Sequence, residues 1–106
     1  MGDRDNALKT YERTLKVSPE YTNAANNAGV IYFERKDYEN AKKYFLQALK
    51  YDANNSDALG NLGAINHNLG NLKEAVEYYK KSLAISPVNQ NVQGNFAKAE
   101  QSLLKH

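Results

Sequence analysis

The sequence predicts an all-α fold, a stack of about six short helices arranged as antiparallel pairs. Three observations carry this. The chain of 106 residues repeats itself at a spacing of 34 with no gap, which is the length scale of a stacked supersecondary unit. Inside each period the apolar residues recur at helical spacing. Between the apolar stripes stand Gly, Pro and Asn, and no alternating run is long enough for a strand.

The repeat is visible at single positions. Ala7, Ala41 and Ala75 align, as do Leu15, Leu49 and Leu83. Tyr11, Phe45 and Tyr79 share one aromatic slot, and Asn27, Asn61 and Asn95 recur once per period. Gly29 aligns with Gly63, Ile31 with Ile65, and Pro19 with Pro87, each proline after a serine. Residues 22–55 and 56–89 share eight identities over 34 positions. Chance would give about two, so the repeat is real.

The elements follow in order. Helices are expected at about 3–16, 20–35, 38–51, 56–69, 72–85 and 89–104, with connections short enough for antiparallel neighbours. Ser18-Pro19 and Ser86-Pro87 stop the helices before them, because proline disfavours helical geometry in the preceding residue. In helix 38–51, Ala41, Tyr44, Phe45, Ala48 and Leu49 form one wide apolar stripe, and Asp37 is placed to cap it. Ala58, Leu59, Leu62, Ile65 and Leu69 form the next stripe. Gly70 suits a left-handed helix end. Asn71 is expected to cap helix 72–85, with Glu74 completing a capping-box-like pair. The domain reading is a single array over 1–106: the second helix of a partial repeat at 3–21, complete repeats at 22–55 and 56–89, and a C-terminal capping helix at 90–106.

Composition narrows the function. A net charge of +2 is too small to argue for nucleic acid. With no cysteine, disulfides, thiolate metal sites and thiol catalysis are excluded. No run approaches the roughly 20 apolar residues of a membrane span. The N-terminus, MGDRDNALKT, lacks signal-peptide character; that does not place a longer parent protein, and the cytoplasm is the expected location. His67 and His106 share no ligand cluster and no nucleophile–base pair. Gly60, Gly63 and Gly70 lie in and after a helix and make no phosphate loop. Neither enzyme activity, metal nor cofactor is expected. Fourteen asparagines are unusual among helices, since Asn is a middling helix former.

The period and its slots resemble the tetratricopeptide repeat. In the first complete repeat the small, glycine and aromatic slots hold Ala28, Gly29, Tyr32, Ala41, Phe45 and Ala48. In the second they hold Leu62, Gly63, Ala75, Tyr79, Ser82 and Pro87. The likeness covers nearly the whole chain. It departs from the family pattern where Ala25, Leu59 and Gln93 replace the usual Trp, where Asn66 replaces an aromatic, where Lys36 replaces a Gly and where Ala53 replaces a Pro. The resemblance implies a right-handed α-solenoid whose first-type helices, 20–35, 56–69 and 89–104, line a concave groove that commonly binds peptides.

By position in the family pattern, the groove residues are Asn23, Asn26, Asn27, Val30, Phe33 and Glu34, then Asp57, Gly60, Asn61, Ala64, His67 and Asn68, then Asn91, Gly94, Asn95, Lys98 and Gln101. Asn27, Asn61 and Asn95 form a ladder of one amide per repeat. An amide offers an acceptor and two donors, which match the C=O and N–H of an extended peptide. The ladder resembles the one in the repeat arm of O-linked N-acetylglucosamine transferase, where asparagines hold peptide backbone. Equally, Asn at this slot serves to support hydrogen bonding between helices. Gly60, Gly94 and Ala64 give a shallow floor. The carboxylate clamp of chaperone-binding relatives is not matched: its slots hold Asn26, Val30, Asn61, Asn91 and Asn95, without the cations.

The function expected is a non-catalytic adaptor or scaffold that binds an extended peptide or partner segment, with a protein or peptide as partner and neither nucleic acid nor membrane insertion. Two alternatives stand beside it. The chain opens on a second-type helix whose partner is absent, which suits either a piece of a longer array or a homodimer pairing through Leu8, Tyr11 and Leu15. It would also suit the substrate-recruiting arm of a larger enzyme.

Overall fold

The computed structural model describes residues 2–105; Met1 and His106 lie outside the described residues. Six helices are found among them: α1 (Gly2–Val17), α2 (Thr22–Glu34), α3 (Tyr38–Tyr51), α4 (Ser56–Asn68), α5 (Leu72–Ile85) and α6 (Gln90–Leu104). They form two compact units, Met1–Ala53 and Asn54–His106, each of three helices. No helix among the described residues is long and apolar enough to cross a membrane.

Most ends lie where the sequence puts them. α2 begins two residues later than expected. Pro19 and Glu20 form a turn that is closed by the Tyr21 N–H donating to the Ser18 carbonyl at 3.1 Å. Asp37 caps α3 by accepting from the Asn40 N–H at 3.3 Å. Asn55 and Asn89 cap α4 and α6 by accepting from the Ala58 and Val92 N–H groups at 3.0 and 3.2 Å. Asn71 does not cap α5 through its side chain, contrary to expectation. Its amide instead donates to Asn66 Oδ1 at 3.3 Å, and the Asn66 amide donates to the Leu62 carbonyl at 2.9 Å. Asn66 is 3% exposed; a buried amide is tolerated only when so bonded, and this need draws Asn71 away from the helix end.

α2 and α4 end alike. Lys36 donates its N–H to Phe33 O and Asp37 to Tyr32 O; Gly70 donates to His67 O and Asn71 to Asn66 O. This paired closure requires a left-handed residue, supplied by Gly70 at φ +82° and by Lys36 at φ +61°. A side chain in that conformation costs about 1–2 kcal/mol, partly offset by the chain entropy that glycine loses. Lys36→Gly is therefore expected to raise stability by about 0.5–1 kcal/mol, read as a higher urea midpoint at unchanged slope.

In the first unit, Leu8 packs with Ala28 and Ile31, flanked by Ala7, Tyr11, Tyr32 and Tyr44. Phe45 lies wholly buried over Gly29. Arg4 pairs with Glu34, and Arg35 with Asp5, tying the ends of α1 and α2. In the second unit, Ala75, Val76, Tyr79, Val92 and Ala99 form the core, with Leu83, Phe96 and Leu103 against it. Tyr79 covers Gly63, and the Ser82 hydroxyl donates to the Ser56 carbonyl at 2.9 Å.

The N-terminal helix corrects one expectation. Leu8 and Leu15 are 6% and 7% exposed, and Tyr11 is half-buried. Leu8 and Tyr11 join the core against α2, so neither Leu8 nor Leu15 is offered to a second copy. The exposed residues of α1 are Asp3, Arg4, Asp5, Asn6, Lys9, Thr10, Arg13, Lys16 and Val17, all polar but the last.

Candidate functional site

The amide faces of the first-type helices are formed by residues three and four apart, the spacing that brings side chains onto one face of a helix. On α2, Asn23, Asn27 and Val30 are exposed, while Asn26 and Phe33 are half-buried. The Phe33 ring meets Tyr38 edge-on at 5.6 Å between centroids. Glu34 is engaged by Arg4.

The second unit holds two such helices. On α4, Asp57 and Asn68 are exposed, and Asn61, Ala64 and His67 are half-buried. The His67 ring stands edge-on to Tyr79 at 6.3 Å, which places the imidazole beside the core ring that covers Gly63. On α6, Asn91, Gly94, Lys98 and Gln101 are exposed and Asn95 is half-buried. A side chain added at Gly94 would meet nothing within 4 Å, so this stretch of α6 backbone is open to close approach. Gly60 behaves differently from expectation. It is buried, and a methyl there would lie 3.0 Å from Val92 and 3.4 Å from Ser82 Oγ. Its missing side chain lets α6 and α5 pack against α4, so it is not a groove floor.

One cleft of the second unit was not foreseen. A space of about 700 Å³ is lined by His67, by Gly70 and Asn71 with the first turn of α5 (Leu72, Lys73 and Glu74), and by Ser102 and Leu103. Only His67 belongs to the expected face. The turn residues read in sequence as helix punctuation, and nothing there signals that the end of α6 stands opposite them.

The site offers amides, one imidazole, one lysine and the Asp57 carboxylate, with the Glu34 carboxylate already paired to Arg4. Among the described residues no group of three or more His, Cys, Asp or Glu is placed to hold a metal ion. The chemistry available is hydrogen bonding to a ligand's backbone or polar groups.

Comparison with known proteins bears on the fold as a whole. Residues 20–87 match the family model for the tetratricopeptide repeat. No curated protein sequence matches the chain significantly. Among solved structures, the first repeat domain of Spaghetti (RPAP3), bound to the HSP90 peptide SRMEEVD, is similar at a TM-score of 0.91 and 24% identity, over 97% of this chain and 82% of that one. The second such domain of human RPAP3, in complex with the HSP70 peptide SGPTIEEVD, is similar at a TM-score of 0.85 and 25% identity, over 93% and 82%. The corresponding domain of Arabidopsis OM64 is similar at a TM-score of 0.89 and 18% identity, over 95% and 84%.

Proposed function

Because this chain belongs to the tetratricopeptide repeat family, we propose that it is a non-catalytic interaction module that holds an extended protein segment on the amide-bearing faces of α4 and α6, the first-type helices of its second unit. The observation that carries this is the pair Asn61 and Asn95. They occupy the same repeat position on α4 and α6 of one unit, both are half-buried, and the backbone beside Asn95 at Gly94 is open. Half-burial holds an amide in few orientations while leaving its hydrogen-bonding atoms reachable, which lowers the ordering cost of binding. Asn27 repeats the position on α2.

Two of the similar structures hold peptides that end in EEVD, which supports peptide binding by this fold. Their acidic tails are a poor guide to the ligand here. The clamp slots carry Asn26, Val30, Asn61, Asn91 and Asn95, so the clamp's charge-assisted grip on a terminal carboxylate is missing from them, and Lys98 is the one lysine of these faces. A ligand read by neutral amides is selected for backbone shape more than for charge. Self-assembly through α1 loses its motive, since Leu8 and Leu15 are buried and the exposed side of that helix is polar. The same faces would serve as the recruiting arm of a larger enzyme.

The test is selection from a random nonapeptide phage library. Enriched peptides should lose at least about tenfold in affinity on Asn61→Ala/Asn95→Ala, the scale of two or more lost hydrogen bonds. Helical circular dichroism should be unchanged. Peptides that bind the double variant as tightly as the parent would remove the ladder from the site.

A further inference from the structure

The first unit carries a second polar face, on α1 and α3, that the amide ladder does not use. Lys9, Arg13 and Lys16 lie at i, i+4 and i+7 on α1, and Lys43, Gln47 and Lys50 lie at the same spacing on α3. The two stripes are in repeat register: Lys9 aligns with Lys43, and Lys16 with Lys50. The pattern stops there, because the aligned positions of α5 are Glu77, Lys81 and Ala84. Like charges four apart on a helix, such as Lys9 and Arg13, destabilise it slightly, so helix stability alone does not account for the α1 stripe.

The stripes meet at a cleft. A space of about 380 Å³ is lined by Glu12, Leu15, Lys16, Lys43, Tyr44 and Gln47. Its inner wall is fixed by hydrogen bonds. Glu12 Oε2 accepts from the Tyr44 hydroxyl at 2.6 Å and from the Tyr32 hydroxyl at 3.1 Å. The two tyrosine rings stack at 5.8 Å, 8° from parallel. The Gln47 amide donates to the Pro19 carbonyl at 3.0 Å. Lys43 Nζ sits 5.8 Å from the centre of the Tyr44 ring. The acidic groups of this face are Glu12, tied to the two hydroxyls, and Glu39, four residues before Lys43. Arg4 and Arg35 take no part, being paired with Glu34 and Asp5.

We propose that this α1–α3 face is a second docking surface, and that its occupant is an acidic segment of a partner protein, with one carboxylate seated between Lys16 and Lys43. Charge complementarity selects the sign of the partner. The walls select its kind. A nucleic-acid strand would look for an open aromatic face on which to stack a base, but Tyr44 is already stacked on Tyr32 and has Lys43 against its ring.

The experiment uses the full chain and a fluorescein-labelled deca-glutamate probe, followed by anisotropy. Lys16→Glu/Lys43→Glu should weaken binding by at least about tenfold, as should a rise in salt that shortens the screening length several-fold. Lys73→Glu/Lys80→Glu changes net charge equally and should leave affinity within about twofold if the seat is local. Asn61→Ala/Asn95→Ala should leave it unchanged, which separates this surface from the amide faces. No binding of the probe, equal loss in the two charge-reversed variants, or tighter binding of an oligo-deoxythymidine blocked by Lys16→Glu/Lys43→Glu would each overturn the proposal.

Discussion

Gly63→Ala is expected to destabilise the second unit by about 2 kcal/mol, although alanine is the better helix former. The new methyl carbon would stand 2.6 Å from Cδ1 and Cε1 and 3.1 Å from Cγ of Tyr79, against an optimum of about 3.5–4.0 Å between carbons. The clash falls on the side of the ring nearest its root, where a small tilt gives little relief, and Tyr79 is 1% exposed. Overpacking of this kind costs about 1–3 kcal/mol, and the helix-propensity gain of up to about 1 kcal/mol does not cover it. For a domain of this size the loss corresponds to a melting temperature lower by roughly 8–16 °C. Gly29→Ala should lose less. Its methyl would meet the outer edge of Phe45, at 2.7 Å from Cε1 and 2.8 Å from Cζ, where a smaller rotation opens more room. Gly94→Ala provides the sign control: nothing lies within 4 Å, so it should gain up to about 1 kcal/mol. Adding Tyr79→Leu to Gly63→Ala should cost less than the two single losses combined, because the clash is shared. Thermal unfolding of the three alanine variants and the double variant measures all of this. Equal effects at Gly63 and Gly94 would show that helix propensity, not approach to the ring, governs these positions.

The glycine–aromatic pairs also show why the fold was legible in the sequence. Gly29 faces Phe45 and Gly63 faces Tyr79, and in each case a residue without a side chain and a ring sit 16 positions apart in the repeat. Periodicity exposes such pairs because the same contact is written twice. Helix ends were legible where a side chain has one possible job, as with Asp37. They were misread at Asn71, where two jobs competed. Its neighbour Asn66 stands where the first repeat has Tyr32, and a buried amide needs partners that a ring does not. That requirement is tertiary, and no local pattern states it.

The candidate site was legible only as a set of positions. The asparagine excess mixes two causes. Asn40, Asn55, Asn66, Asn71 and Asn89 have local structural tasks, since they meet Asp37, cap helices or bond to each other. Asn61 and Asn95 lie half-buried on the first-type helices. Composition counts both kinds alike. The basic stripes were present in the sequence as charge at helical spacing, which reads as an ordinary solvated face. What distinguishes them is the cleft that Lys16 and Lys43 both line, and residues 27 apart in the chain reveal that only once folded.

The stability of both units should fall steeply above about pH 10, the point at which an unperturbed tyrosine ionises. Burial pushes Tyr79 up to about 12. Tyr44 is raised as well, first by burial and then by its hydrogen bond to Glu12 and by that carboxylate's charge. Tyr32 is raised by burial, by the same hydrogen bond and by the charges of Glu12 and Asp37, against a lowering from Arg35. A folded-state pKa above the unfolded one means that the folded chain keeps its proton when the unfolded chain has lost it. Stability is then full below the unfolded value and is lost as pH rises through the folded one. For Tyr79, with its side chain withdrawn from water, the loss amounts to about 2 kcal/mol by the upper end of the window. Urea unfolding at a series of pH values should show a flat midpoint up to about pH 9 and a decline between about 10 and 12, with tyrosinate absorbance growing as the chain unfolds. The two units separate by substitution. Tyr79→Phe keeps the ring over Gly63 and removes the ionisation, so the second unit's share of the decline should vanish. Glu12→Gln removes the carboxylate from the Tyr32–Tyr44 stack, so those tyrosines should ionise at lower pH while Tyr79 is unaffected. If Tyr79→Phe declines as steeply as the parent, the alkaline loss does not arise from burial of that hydroxyl. If Glu12→Gln leaves all tyrosine titrations in place, the carboxylate is not what holds the first unit's pair protonated.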